Sequence, residues 1–89
     1  MVRYQAIVHG RVQGVGFRYF TQHEALKYNI HGTVRNLENG SVEIDAEGSK
    51  EQMAQFFQAV QKGPMFSKVT DVLISEKSER RNFSSFSNI

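Results

Sequence analysis

The chain has 89 residues, of which 39% are hydrophobic and 11% aromatic, and its formal net charge is +2. This length predicts one domain over residues 1–89 with a single hydrophobic core, and the lack of cysteine excludes disulfides, thiol nucleophiles and thiolate metal sites. The N-terminus has no apolar signal core and no run approaches the roughly 20 apolar residues of a membrane span, so we expect a cytoplasmic protein without a membrane partner. The small charge is weak support for a nucleic-acid partner, and none is predicted.

The first third of the chain predicts a strand followed by a helix. Residues 3–9 alternate in polarity as a strand does, and residues 17–28 have helical spacing. Asn29, a residue that tolerates the left-handed conformation, is predicted to end the helix. We expect the buried stripe of this helix to consist of Phe17, Phe20, Thr21, Ala25 and Tyr28.

A hairpin is predicted next. Residues 32–37 and 41–47 flank Asn39-Gly40, and Asn-Gly between two strand-like runs is the strongest short hairpin signal. The second strand carries three acidic residues that alternate with apolar ones, and we interpret this acidic face as solvated: Glu43, Asp45 and Glu47.

The last elements are a second helix and one or two strands. Ser49 and Gln52 form a capping-box pattern, and Gly63-Pro64 ends the helix. Four apolar residues between these signals fall at i, i+3, i+4 and i+7, namely Met53, Phe56, Phe57 and Val60. Residues 68–75 predict a fourth strand, and residues 83–89 a short edge strand.

The predicted order is βαββαβ, with a possible fifth strand at the C-terminus. Two helices with one apolar stripe each pack on the same face of one sheet, so we predict an α+β sandwich of ferredoxin-like type with a mainly antiparallel sheet. The first two strands are joined through a helix and must run parallel, so their C-terminal ends share one edge of the sheet. The loop after strand 1 and Asn36 near the end of strand 2 should therefore converge.

The loop between strand 1 and helix 1 carries the most informative motif, GRVQGVGFR at residues 10–18. Glycines can turn successive backbone N–H groups inward, and the helix N-terminus adds partial positive charge, so this loop predicts an anion site. Arg18 in the first helical turn can add a planar bidentate donor. The alternative is a tight turn in which the glycines serve the backbone only. The absence of a terminal Gly-Lys-Ser/Thr excludes a Walker A loop. The glycine spacing GxxxGxG, with no acid at the end of strand 2, excludes a dinucleotide fingerprint.

The remaining residues offer no nucleophile and no metal site. His9, His23 and His31 lack metal-ligand spacing. Asn36 interrupts a strand, which a position at the strand end explains; the functional alternative is a carboxamide that orients one water molecule. Catalysis without metal, thiol or histidine favours a phosphoryl donor with a good leaving group, because positioning and charge stabilisation can carry most of that reaction.

The motif at residues 10–18, together with GTVRN at 32–36 and NGSVE at 39–43, closely resembles the acylphosphatase family, and the similarity runs over nearly the whole chain. The resemblance implies a small free-standing ferredoxin-like enzyme, expected to be a monomer, that hydrolyses acyl phosphates to a carboxylate and inorganic phosphate without a cofactor or metal. It implies that Arg18 and Asn36 are catalytic and that Asn36 orients the attacking water. The implied phosphate cradle is the backbone of Arg11, Val12, Gln13, Gly14, Val15 and Gly16, with Arg18.

Two departures and three alternatives accompany this resemblance. Leu37 stands where many members have a hydroxyl residue after the asparagine, and the C-terminal segment matches the family only loosely. An RNA-binding module of the same fold is disfavoured, because strand 3 has three acids and no aromatic residue. A non-catalytic anion-binding or regulatory domain and a module that handles carbamoyl phosphate in a larger assembly stay open. The length of 89 residues favours the free-standing enzyme among these.

Overall fold

A computed structural model describes all 89 residues as two helices and five strands. The helices and strands follow in the order β1 (Val2–Arg11), α1 (Phe17–Lys27), β2 (His31–Asn36), β3 (Val42–Gly48), α2 (Lys50–Lys62), β4 (Lys68–Lys77) and β5 (Phe86–Asn88). The predicted βαββαβ order and the short fifth strand are confirmed. The strand bounds differ from prediction by up to three residues, because pairing in the sheet, rather than local pattern, decides where a strand ends.

The five strands form one mixed sheet in the order β4-β1-β3-β2-β5. β1 and β2 each pair antiparallel with β3, so they run parallel to one another as predicted, and their C-terminal ends lie at the same edge. β5 adds the only parallel pairing, against β2. This topology brings the loop after β1 to the same side of the molecule as the end of β2.

The core lies between the helices and one face of the sheet. The stripe predicted for α2 is confirmed, because its four apolar residues are all buried. The stripe predicted for α1 is confirmed at Phe17, Thr21 and Ala25, but Phe20 and Tyr28 are only half-buried and Glu24 is buried instead. No helix of the chain has the length and apolar character that crossing a membrane requires.

The opposite face of the sheet is crossed by residues 78–85, which we call the crossing segment because they join edge strand β4 to edge strand β5. Glu47 accepts hydrogen bonds from the backbone N–H groups of Arg81, Asn82 and Phe83. Arg3 donates to the carbonyl oxygen of Glu79 at 3.0 Å. Side chains of the sheet thus hold the segment by its backbone.

The solvated acidic face predicted for β3 is therefore wrong at two of its three positions. Asp45 and Glu47 are buried, and only Glu43 is partly exposed, in an ion pair with Arg35. Asp45 accepts two hydrogen bonds from Arg3, at 2.9 and 2.8 Å. Burying a carboxylate is costly unless other groups offset its charge. Asp45 is paired with Arg3, and Glu47 accepts hydrogen bonds from three backbone N–H groups.

Candidate active site

The loop follows β1, whose last residues, Gly10 and Arg11, still pair with β4. The register of β1 against β4 shifts between His9 and Gly10, which marks a β-bulge. Gly10 has a φ of +124°, and a Cβ atom there would collide with the backbone carbonyl oxygen of Lys68. Only glycine fits this close approach of two strands, so Gly10 lets β1 and β4 stay paired up to the start of the loop.

Two further glycines shape the loop before the helix. Gly14 and Gly16 have φ values of +73° and +77°, in the left-handed region. Gly16 is the N-cap of α1 and offers no side-chain acceptor to the first turn, which also contains no acidic residue. The first-turn N–H groups of the helix are therefore left with the partial positive charge that favours an anion.

A cavity of about 190 Å³ lies at this helix start and joins the loop to the end of β2. It is smaller than the roughly 300–1,000 Å³ of pockets that enclose drug-sized ligands, as suits a small anionic group. Its lining residues are Val12, Gln13, Gly14, Gly16, Phe17, Arg18, Tyr19, Asn36 and Asn88.

The cavity brings together most, but not all, of the residues predicted for the site. Arg18 and Asn36, 18 positions apart in the sequence, both line it. Arg11 and Val15 do not: Arg11 is the exposed last residue of β1, and Val15 packs against the core. These two residues can contribute to an anion site only through the backbone, which is the contribution the sequence predicted.

Arg18 is available to a ligand. The three ion pairs of the chain join Arg3 to Asp45, Lys27 to Glu24 and Arg35 to Glu43, so Arg18 belongs to none of them. A cation in the first turn of a helix is unfavourable to the helix dipole. A bound anion would offset that cost and would also supply the guanidinium with acceptors.

Asn36 is exposed at the last position of β2, where its backbone pairs with Val42. Its carboxamide can donate and accept a hydrogen bond at once, which is what orienting a water molecule requires. Asn36 therefore both ends the strand, which explains an asparagine at this position, and lines the cavity.

The sequence did not predict two contributions to this site. Asn88 lines the cavity from β5, where the pairing of Val34 with Asn88 fixes its place, and no local pattern in the C-terminal segment points to it. The side chain of Gln13 donates to the backbone carbonyls of Leu37 and Ser41. These partners are distant in sequence, so spacing gives no signal for them.

A larger cavity of about 450 Å³ lies between α1 and α2. Its lining includes Glu24, Lys27 and Lys62 but neither the glycine loop nor Asn36. Glu24 and Lys27 pair with one another there at 3.0 Å. The smaller cavity is therefore the better candidate, since it combines backbone donors, a free guanidinium and a carboxamide.

The chain matches one family model and several known proteins. A family model described as Acylphosphatase matches residues 4–88. An acylphosphatase from Bacillus licheniformis is 56% identical over 86 residues, covering 97% of this chain and 96% of that protein. The crystal structure of an acylphosphatase from Bacillus subtilis superposes with a TM-score of 0.97 at 47% identity, covering 100% of this chain and 99% of the other. That of an acylphosphatase from Coxiella burnetii gives 0.93 at 28% identity, covering 99% and 92%.

Proposed function

This chain belongs to the acylphosphatase family and hydrolyses acyl phosphates to a carboxylate and inorganic phosphate, and we propose which of its residues carry that reaction. The proposal rests on one observation: Arg18, Asn36 and the glycine loop line the same small cavity.

The phosphoryl group binds at the start of α1. Backbone N–H groups of residues 11–16 and the first turn of the helix donate to its oxygens, and Arg18 adds a charged fork-shaped donor. Gly14 and Gly16 support this assignment, because their left-handed backbone turns the chain around the cavity. These donors lie where negative charge is concentrated on the equatorial oxygens of the transition state, so they stabilise it electrostatically.

Asn36 orients the attacking water. Its carboxamide holds the water in line with the bond from phosphorus to the acyl oxygen. The new bond forms between the water oxygen and phosphorus as the bond to the acyl oxygen breaks, and the electron pair of that bond leaves with the carboxylate. Orienting a reactant in this way is worth several kcal/mol of barrier.

Neither the leaving carboxylate nor the attacking water requires an additional titratable residue. The carboxylate that leaves has a low pKa, so it needs little help from a general acid. The proton of the attacking water passes to an oxygen of the phosphoryl group itself. This route fits a cavity whose one charged lining residue is Arg18.

The proposal also covers the organisation of the chain, its oligomeric state and its location. We propose that residues 1–89 act as one acylphosphatase-like domain, as a monomer in the cytoplasm, on a freely diffusing acyl phosphate. Nucleic acid and membrane have no part in the reaction.

The Arg18→Ala variant tests the phosphate cradle. We expect it to lose most of its affinity for inorganic phosphate and at least 100-fold in kcat/KM for a simple acyl phosphate, in the range found when one transition-state donor is removed. Arg35→Ala is the matched control, because Arg35 is an arginine of β2 beside Asn36 that pairs with Glu43 and does not line the cavity. If Arg18→Ala binds inorganic phosphate as tightly as Arg35→Ala does, the cradle assignment is wrong.

A further inference from the structure

The carboxamide of Gln13 connects residues 11–16, which we call the phosphate loop, to the hairpin that follows Asn36. Its Nε2 atom lies 2.9 Å from the carbonyl oxygen of Leu37 and 2.8 Å from that of Ser41. Both distances are typical of strong N–H···O hydrogen bonds. One side chain of the loop thus bridges both sides of the turn between β2 and β3.

The hairpin leaves one acceptor position free on each of these carbonyls. The N–H of Leu37 donates to the carbonyl of Ser41 at 2.9 Å, and the N–H of Gly40 donates to the carbonyl of Leu37 at 3.2 Å. A carbonyl oxygen has two lone pairs, so each can also accept from Gln13. A primary amide carries two N–H bonds on one nitrogen and can serve both carbonyls at once, which a hydroxyl with its single O–H cannot do.

The bridge joins the two halves of the site. Gln13 lies in the loop that we assign to the phosphoryl group, and Leu37 follows Asn36 directly in the chain. Leu37 has no hydroxyl with which to fix the asparagine from its own side chain. The two hydrogen bonds from Gln13 therefore connect the loop directly to the hairpin residues that follow Asn36.

We propose that Gln13 is a positioning residue for acyl phosphate hydrolysis, which acts by fixing Asn36 relative to the phosphate loop. The inference rests on the function proposed above for Asn36. The backbone N–H of Gln13 belongs to the phosphate cradle, whereas its side chain controls the alignment of water and phosphorus. The two contributions are separable, because a substitution changes the side chain and keeps the N–H.

Gln13→Met tests this proposal. Methionine has a similar length and no donor, so both hydrogen bonds to the hairpin are lost while the backbone N–H is retained. We expect kcat for a simple acyl phosphate to fall about 10- to 100-fold, the effect of a small misalignment of reacting groups. The inhibition constant for inorganic phosphate should stay within about threefold of the wild type, since the cradle and Arg18 are intact.

Two further variants make the test specific. Gln22→Met is the matched control, because the Gln22 amide also donates to a backbone carbonyl, that of Phe86 at 3.3 Å, but lies outside the cavity; its kcat should equal that of the wild type. Gln13→Asn keeps the amide on a side chain one methylene shorter, and it should also lose kcat. Thermal unfolding of each variant identifies any that fails to fold.

The double variant Gln13→Met/Asn36→Ala separates this inference from the function on which it rests. If Gln13 acts through Asn36, the double variant has the same kcat as Asn36→Ala alone, because coupled residues are not additive. Independent, multiplicative losses would overturn the inference, as would a normal kcat in Gln13→Met or a parallel loss of phosphate binding. A fully active Asn36→Ala variant would instead overturn the proposed role of Asn36.

Discussion

Gly10 is the β1 residue that directly precedes the phosphate loop, and its backbone has no room for a side chain. Gly10→Ala should destabilise the fold by more than about 2 kcal/mol, because the new Cβ meets the backbone of Lys68 and the φ of +124° is strained for any other residue. Gly40→Ala is the control, since Gly40 also has a positive φ, +91°, but open space around it. Its cost should be about 1 kcal/mol. Chemical denaturation of the two variants measures the difference, and equal losses would show that close packing at Gly10 is unimportant.

Some residues of the candidate site could be predicted from the sequence, and others could not. Arg18 and the glycines stand in one continuous motif, so an anion site could be predicted from local chemistry. Asn36 could be brought to that site only through the predicted parallel run of β1 and β2. The side chain of Gln13 bonds to backbone carbonyls of the turn between β2 and β3, and the position of Asn88 depends on pairing with β2. No spacing rule predicts such partners.

Among the elements, the pattern of α2 predicts burial better than the pattern of α1 does. The four apolar residues of α2 form one stripe, and all are buried. In α1 the apolar residues are spread around the helix, so Leu26 is 74% exposed while Glu24 is buried. In β3 the acids and the apolar residues alternate as predicted, but the acidic face is partly exposed only at Glu43, while Asp45 and Glu47 are buried. The crossing segment that covers this face lacks a periodic pattern and could not be placed from the sequence.

Glu47 links β3 to the crossing segment and makes stability depend on pH. Burial alone would raise the pKa of its carboxyl, but hydrogen bonds from the backbone N–H groups of Phe83, Arg81 and Asn82 outweigh burial and hold that pKa below its ordinary value. The unfolded chain then binds the proton more readily than the folded one. The resulting stabilisation is present above the ordinary glutamate pKa of about 4.3 and is lost as the pH falls through the lower, folded-state pKa.

Glu47→Gln removes this pH-dependent contribution. We expect the variant to be less stable than the wild type by about 1–3 kcal/mol at pH 7, because the amide cannot accept the three N–H groups as the carboxylate does. The difference between the two proteins should shrink below about pH 4, where the wild-type carboxyl takes up its proton. Denaturation at several pH values measures it, with Glu43→Gln, on the same strand but partly exposed, as the control. A difference in the free energy of unfolding that does not vary with pH would contradict the lowered pKa assigned to Glu47.

For the molecule as a whole, we expect ligand binding and folding to be coupled through the helix start. The proposed phosphate site is a cavity that the unfolded chain lacks, so inorganic phosphate should raise the free energy of unfolding. At 100 times its dissociation constant the gain is about 2.7 kcal/mol. Thermal unfolding with and without phosphate measures it for the wild type and Arg18→Ala. The variant should gain much less at the same phosphate concentration, and an equal gain in both would place the phosphate elsewhere.

We propose that the phosphate loop binds the phosphoryl group and that Asn36 orients the water. Comparing wild type and Asn36→Ala in the hydrolysis of a simple acyl phosphate with excess chelator tests these separate roles most directly. We expect metal-independent turnover by the wild type and a loss of at least about 100-fold in kcat for the variant, since water is no longer oriented. Inhibition by inorganic phosphate should be nearly unchanged. A variant that keeps full turnover, or one that loses phosphate binding and turnover together, would contradict the assignment of Asn36 to the attacking water.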